Sequence, residues 1–170
     1  MSFYSDVYRL KYIIRYSNIP RIKDESVAEH GFFVAAIVME LHDRYEFDLG
    51  VALAMAISHD IPEMELNDCP HIIKEKYPKI KMAYDVCEDE VRQNLPPTIS
   101  HAAWMYDKKS IIEAHVVRLA DMMQCIQYAK TEVELGNKGY MQKVLDESFE
   151  RVKQYKEELK HYERRKETSK

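Results

Sequence analysis

Between residues 4 and 16 apolar side chains recur at Tyr4, Val7, Tyr8, Tyr12 and Ile14, close to helical spacing, and predict a first helix. Asn18-Ile19-Pro20 ends that pattern, because proline disfavours helix for itself and for the residue before it. Ser26-Val27-Ala28-Glu29 fits a capping box, in which the serine and glutamate side chains satisfy each other's backbone N–H groups. A second helix is therefore expected from there to about Tyr45, with Phe33, Ile37 and Leu41 in its apolar stripe and His30 on the same side in the first turn. Asp48 is a suitable N-cap for a third helix, Leu49 to about Asp60, which is apolar nearly all round and so belongs in the middle of a bundle.

Ile61-Pro62 ends or kinks that helix, and Asn67-Asp68-Cys69-Pro70 reads as a loop. A more polar helix follows from about Pro78 to Leu95, stopped by Pro96-Pro97. Ser110-Ile111-Ile112-Glu113 offers a second capping box, opening a long helix through Val117, Ala120, Met123, Cys125 and Tyr128, with Gly136 at its C′ position. The last helix, about Lys138–Arg164, carries supporting charge pairs such as Glu147→Arg151 and gives way to a charged tail at 165–170. No internal repeat and no long linker divides the chain. One all-α domain over residues 1–170, with its core at about 4–136, is the expectation.

Composition narrows the function more than the fold. A chain of 170 residues suits one domain that can bury a core without disulfides or a structural metal. Only 4 Gly and 6 Pro against 46% hydrophobic residues count against both disorder and an all-β sandwich. With 25 Lys+Arg and 29 Asp+Glu the net charge is −4, which argues against nucleic acid as a main partner. Cys69, Cys87 and Cys125 have no CxxC spacing and read as reduced thiols in a cytoplasm. The first residues carry Asp6, Arg9, Lys11 and Arg15 without an apolar core, so they do not read as a signal peptide. The uncharged stretch Leu49–Ser58 falls far short of the ~20 residues a membrane span needs.

Chemistry concentrates where polar groups interrupt apolar runs. His59-Asp60 closes a buried helix, and a charged Asp there is costly unless it is paired or bound to a cation. Taken alone the dipeptide reads first as a hydrogen-bonded helix cap. His30 sits in the first turn of another helix, and Asp121 lies inside Val116-Val117-Arg118-Leu119-Ala120-Asp121-Met122-Met123. Such a group on three helices points to a shared cation. Two imidazoles with two carboxylates suit Mn²⁺, Co²⁺, Fe²⁺ or Zn²⁺ with positions open to water, rather than a closed thiolate zinc site. A metal so held lowers the pKa of its water and polarises a phosphoryl oxygen.

These positions resemble the H…HD…D hallmark of the HD-domain phosphohydrolase superfamily, read here as His30, His59-Asp60 and Asp121. Closer still is the resemblance to YfbR-type deoxyribonucleoside 5′-monophosphatases and to small phage deoxynucleoside triphosphohydrolases. It is carried by Ile14-Arg15-Tyr16 with Ala28-Glu29-His30, by His59-Asp60-Ile61-Pro62-Glu63 with Asp68-Cys69-Pro70 and Lys74, and by Arg118-Leu119-Ala120-Asp121. The resemblance implies an HD-type helical bundle with His30, His59, Asp60 and Asp121 as metal ligands. It implies Glu63 and Asp68 as catalytic groups, Arg15 on the phosphate, Tyr16 against the sugar or base, and Lys74 near the phosphates. Guanidinium suits such a role because its donors fork onto two phosphate oxygens.

Each of these residues also has a plainer use: Arg15 and Lys74 as surface charges, Glu63 as a solvated acid, Asp68 as a turn former, and Tyr16 as packing. His71, His101 and His115 have nothing placing them with the ligand set. The loop departs from the family's pattern, with Asn67 before Asp68 and His71 after Pro70, where the family has Gly and then Pro-Thr. Met64 after Glu63 speaks against the superfamily's guanosine tetraphosphate hydrolases, which carry an acidic residue there. The resemblance thus implies removal of the 5′ phosphate from deoxyribonucleoside 5′-monophosphates, with release of triphosphate from a substrate such as dATP as the alternative. It also implies a homo-oligomer, dimer or higher. A non-catalytic nucleotide-binding protein and an assembly protein using the C-terminal helix are the readings from other classes.

Overall fold

The computed structural model describes residues 2–168, with side chains over 2–70 and 73–163. In chain order the helices are α1 (Phe3–Val7), a 3₁₀ turn (Tyr8–Tyr12), α2 (Val27–His42), α3 (Leu49–Ser58), α4 (Glu63–Leu66), α5 (His71–Lys76), α6 (Pro78–Gln93), α7 (Pro97–Lys108), α8 (Ile112–Glu134) and α9 (Tyr140–Thr168). Among the described residues no strand forms, only an isolated antiparallel bridge between Ile14 and Ser26.

Helix α8 is the axis. It packs on α2, α3, α7 and α9, and it buries Val116, Val117, Leu119 and Ala120 against Val34 and Val38 of α2 and Met55 and Ala56 of α3. Fully burying a side chain such as Leu119 or Met55 stabilises by roughly 2 kcal/mol. A smaller cluster of Leu10, Val27, Ile61, Met64, Val91 and Leu95 joins the N-terminal segment, the turn after α3, and α6. Helix α2 contributes to both clusters, Val27 to the smaller and Val34 and Val38 to the larger.

Local signals set several boundaries. The Ser26 hydroxyl accepts from the Glu29 N–H at 3.2 Å, and Glu29 accepts the Ser26 N–H at 2.8 Å, so the capping box forms as read from the sequence. Asp48 caps α3 by accepting the Val51 N–H at 2.9 Å. Gly136, at φ +108°, follows α8 in a Schellman turn: its N–H reaches the Val133 carbonyl, and the Asn137 N–H reaches that of Glu132.

Other expectations change. The helix expected over 4–16 gives way after Tyr12, because Ile13 and Ile14 turn extended. The Val27 N–H then bonds to the Ile13 carbonyl and the Arg15 N–H to that of Glu25, each at 2.9 Å. Phe33 is exposed, and the buried stripe of α2 runs through Val27, His30, Val34, Val38 and Leu41 instead. The second capping box does not form. Ile111 is the N-cap of α8, and Glu113 accepts the Asp48 N–H at 2.8 Å, a tertiary partner that takes the acceptor the cap needed.

Residues 97–108, unassigned from the sequence beyond the Pro96-Pro97 stop, form α7, with a proline in the first turn where its missing N–H costs nothing. Helix α9 extends through Thr168, into the stretch expected to be tail, while residues 169–170 of that tail lie outside the described residues. Glu147 pairs with Lys143 one turn earlier at 3.6 Å, and Arg151 reaches Glu75 of α5 at 3.0 Å.

Candidate metal centre

Three elements bring the ligand candidates together. The first turn of α2 supplies His30, the C-cap of α3 and the next residue supply His59 and Asp60, and the middle of α8 supplies Asp121. One ligand atom from each of His30, His59 and Asp121 lies within 4.8 Å of the others. Asp60 joins them through its Oδ2, 3.2 Å from His59 Nε2 and 3.5 Å from His30 Nε2. His30 Nε2 is also 3.3 Å from Asp121 Oδ1.

The far side of each imidazole fixes its orientation. His59 Nδ1–H donates to the Ala56 carbonyl at 2.9 Å. His30 Nδ1 lies 2.7 Å from Gln124 Oε1 and 2.9 Å from Arg15 Nη1, and the amide is itself oriented because its Nε2 donates to Glu25 Oε1 at 2.5 Å. With Nδ1 of each ring engaged on its far side, both Nε2 atoms aim at carboxylates. Both are buried without a hydrogen-bond partner among the described residues. A buried polar group left so costs about 1–3 kcal/mol. Two such nitrogens facing two carboxylates need a cation between them.

In the metal-free chain a proton meets part of that need. Burial works against charge on His59, but Asp60 and then Asp121 outweigh it and raise its pKa from 6.5 to about 9. Burial would raise Asp121, yet His30 and His59 hold it down at about 2. Asp60 is held well below the ordinary carboxylate range by His59 in spite of its burial. The donor set and its buried Nε2 atoms, turned toward two carboxylates, fit a divalent ion.

A cavity of about 730 Å³ opens over this centre, and Arg15, Tyr16, Asp60, Glu63, Asp68, Lys74 and Asp121 all line it. His30 and His59 are not among the residues that line it. Glu63, in the first turn of α4, has a buried Oε2 with no hydrogen-bond partner. Burial, then the like charges of Asp60 and Asp68, push its pKa well above the ordinary value. Arg15 follows the extended pair Ile13-Ile14 and is held from behind. Its Nη1 donates to Glu25 Oε2 at 3.0 Å and to Gln124 Oε1 at 3.1 Å, and its Nη2 reaches the Cys125 sulfur at 3.4 Å.

Tyr16 sits at φ +54°, a left-handed conformation uncommon for a bulky side chain. Its N–H donates to Asp68 Oδ2 at 3.0 Å, and its ring stacks on Tyr128 with centroids 5.6 Å apart. Lys74 Nζ lies 3.4 Å from Glu88 and 4.0 Å from the centre of the Tyr84 ring. His101 stacks on Trp104 and His115 faces Glu158, both away from the ligand set. The His71 side chain lies outside the described residues.

Three supporting residues escape the sequence reading. Gln124 and Glu25 orient His30 and Arg15 together. Tyr106 donates to Asp121 Oδ2 at 3.3 Å and packs its ring 5.2 Å from that of His59. The i,i+3 spacing of Asp121 and Gln124 on one helix face is the signal that could have found the glutamine.

The chain matches the YfbR-like 5′-deoxynucleotidase family over residues 2–164. It is 30% identical to a 5′-deoxynucleotidase of Pasteurella multocida over 81% of this chain and 77% of that protein. Among solved structures, a protein of Pyrococcus horikoshii OT3 superposes with a TM-score of 0.78 at 30% identity, covering 98% of this chain and 95% of its own. A cyanophage S-2L HD phosphohydrolase, bound to dA and one catalytic Zn²⁺ ion, shares the fold at 16% identity and a TM-score of 0.73, covering 100% and 99%. The helical architecture, the ligand candidates meeting under one cavity and these likenesses converge: the chain belongs to the YfbR-like 5′-deoxynucleotidase family.

Proposed function

We propose that this protein is a divalent-metal-dependent 5′-deoxynucleotidase, hydrolysing deoxyribonucleoside 5′-monophosphates to nucleoside and phosphate, and that it works in the cytoplasm as a homo-oligomer. The observation that carries the reading is the pair of buried, unpartnered Nε2 atoms on His30 and His59, turned toward Asp60 and Asp121 beneath a cavity. No helix among the described residues is long and apolar enough to cross a membrane. Reduced cysteines support the cytoplasmic assignment.

His30, His59, Asp60 and Asp121 hold the metal, with Mn²⁺, Co²⁺, Fe²⁺ and Zn²⁺ all suited to this nitrogen and oxygen set. When bound, the ion supplies charge for the phosphoryl oxygens and lowers the pKa of a coordinated water. Arg15, fixed from behind by Glu25 and Gln124, presents its guanidinium to the phosphate without reorganising. Glu63, whose burial and acidic neighbours favour its protonated form, is placed to give its proton to the leaving 5′ oxygen. Asp68 holds the Tyr16 backbone in its left-handed turn, which sets that ring against the sugar or base. Lys74 adds positive charge at the cavity wall.

A panel of deoxyribonucleoside mono- and triphosphates assayed with Mn²⁺ or Co²⁺, with nucleoside, phosphate and triphosphate quantified, tests this. Release of nucleoside and phosphate from the monophosphates is expected, with turnover lost and metal retained in Glu63→Ala. Activity confined to triphosphates would replace this reading with a triphosphohydrolase, and no hydrolysis with any divalent metal would replace it with a binding protein.

A further inference from the structure

Two residues that carry side chains hold a positive φ on either side of one cavity-lining aspartate, Asp68. Tyr16, at φ +54°, donates its N–H to Asp68 Oδ2 at 3.0 Å, and Asn67, at φ +63°, directly precedes that aspartate. Asparagine tolerates the left-handed helical region, but the ψ of Asn67 is 166°, which lies outside it. That combination is essentially confined to glycine. A residue with a Cβ is strained there and stays only where its surroundings impose the conformation.

The Asn67 side chain is exposed, so the backbone carries the restraint. Its N–H closes the short helix α4 on the Glu63 carbonyl at 2.9 Å. From α6 the Tyr84 hydroxyl donates to its carbonyl and ties the turn after α4 to the next long helix. That carbonyl shares a planar peptide with the Asp68 N–H, so pinning it sets the direction in which the chain enters Asp68. The Tyr84 ring has a different partner. Lys74 Nζ lies 4.0 Å from its centre and 3.4 Å from Glu88, one turn further along α6. Asp68, Tyr16 and Lys74 line the cavity, whereas Asn67 and Tyr84 stand outside its lining.

We infer that Tyr84 is a positioning residue for the substrate side of the cavity: its hydroxyl holds the Asn67–Asp68 peptide in a conformation asparagine disfavours, and through that peptide it maintains the hydrogen bond from Tyr16 to Asp68. The need for the hydroxyl follows from the side chain at position 67, and a glycine there removes it. The consequence for turnover rests on the 5′-deoxynucleotidase reading; the consequence for the backbone does not.

Tyr84→Phe keeps the ring against Lys74 and deletes only the hydroxyl, while Asn67→Gly relieves the strain. Tyr84→Phe alone and the two substitutions combined, made in the full-length protein, test the inference. With dAMP and saturating Mn²⁺, Tyr84→Phe should raise KM about tenfold and change kcat by less than about twofold, because Tyr16 meets the sugar or base and not the reacting phosphorus. Its Mn²⁺ affinity by calorimetry should match the wild type. Adding Asn67→Gly should return KM to within about twofold of the wild type, since glycine adopts the required backbone without the hydroxyl. Crystal structures should show residue 67 out of the positive-φ region and the Asp68–Tyr16 bond broken in Tyr84→Phe, with both kept in the double variant. A wild-type KM in Tyr84→Phe, a raised KM that Asn67→Gly does not rescue, or an equal fall in Mn²⁺ affinity overturns the inference. So does a Tyr84→Phe structure with residue 67 still near φ +63° and the Asp68–Tyr16 bond intact. A wild type that hydrolyses no deoxynucleotide, with residue 67 released in Tyr84→Phe and held in the double variant, sinks the nucleotidase reading and keeps the positioning role.

Discussion

Helix α8 carries two carboxylates that received opposite treatment. Glu132, fully buried near its C-terminal end, accepts the Ile22 N–H at 2.8 Å, the Lys23 N–H at 2.7 Å and the Asn137 amide at 2.8 Å. Asp121, roughly three turns earlier, has a long hydrogen bond from Tyr106 at 3.3 Å and a thiol at 3.8 Å, and it faces an imidazole nitrogen that has no partner. The first carboxylate is saturated by its own chain and ties the 17–25 loop to the bundle. The second is left for something the chain does not contain. A buried acid with its donors supplied is architecture, whereas one opposite unpartnered nitrogens is a binding site.

The sharpest way to break that contrast is to remove each acid. Asp121→Asn should lower turnover at least a thousandfold, equivalent to ~4 kcal/mol of lost transition-state stabilisation. It should also abolish the rise in thermal midpoint that Mn²⁺ gives the wild type. Glu132→Ala should do the opposite. It strands three donors and should cost about 3 kcal/mol of stability by chemical denaturation, while the Mn²⁺-induced rise survives. Retained stability in Glu132→Ala would show that its hydrogen bonds were replaced by water.

Next in size is the support behind His30. Gln124→Leu removes the acceptor that fixes the ring, and metal affinity by calorimetry should fall between tenfold and a hundredfold with the fold intact. An unchanged affinity would leave the glutamine with a packing role alone.

The two regions also differ in their response to pH. Burial opposes the charge on Glu132, but Asn137 and the Ile22 and Lys23 N–H groups outweigh it and lower its pKa from 4.5. The unfolded chain therefore binds the extra proton. The stability that Glu132 supplies is present above the ordinary carboxylate range and is lost as pH falls through the lowered folded value. His59 runs the other way. In the metal-free protein its raised pKa gives stability that is present below 6.5 and lost as pH rises through about 9. Metal binding between those values should release a proton, read from the buffer dependence of the binding enthalpy. The smallest effect belongs to Ser26→Ala, which should cost about 1 kcal/mol through the cap of α2 while leaving the metal affinity unchanged.

What could be read from the sequence followed the range of the interactions. The caps at Ser26 and Asp48 and the turn at Gly136 close within a few residues, so they were visible locally. The box at Ser110 was not decided locally, because Glu113 found the Asp48 N–H across the bundle. Ile13 and Ile14 left their helix for the same kind of reason: a bridge to Ser26 competed with local periodicity. In the site, His30, His59, Asp60 and Asp121 stood out as polar interruptions of apolar runs. Glu25, Gln124 and Tyr106 did not, since each acquires its meaning only from distant partners: Arg15 and Gln124 for the glutamate, His30 for the amide and Asp121 for the phenol.

The central claim is tested most directly by an anomalous-difference map from crystals of the Mn²⁺-loaded protein. The account predicts a peak bounded by His30 Nε2, His59 Nε2 and the carboxylates of Asp60 and Asp121. At saturating Mn²⁺, no density between those four side chains, or a peak only elsewhere, would contradict it.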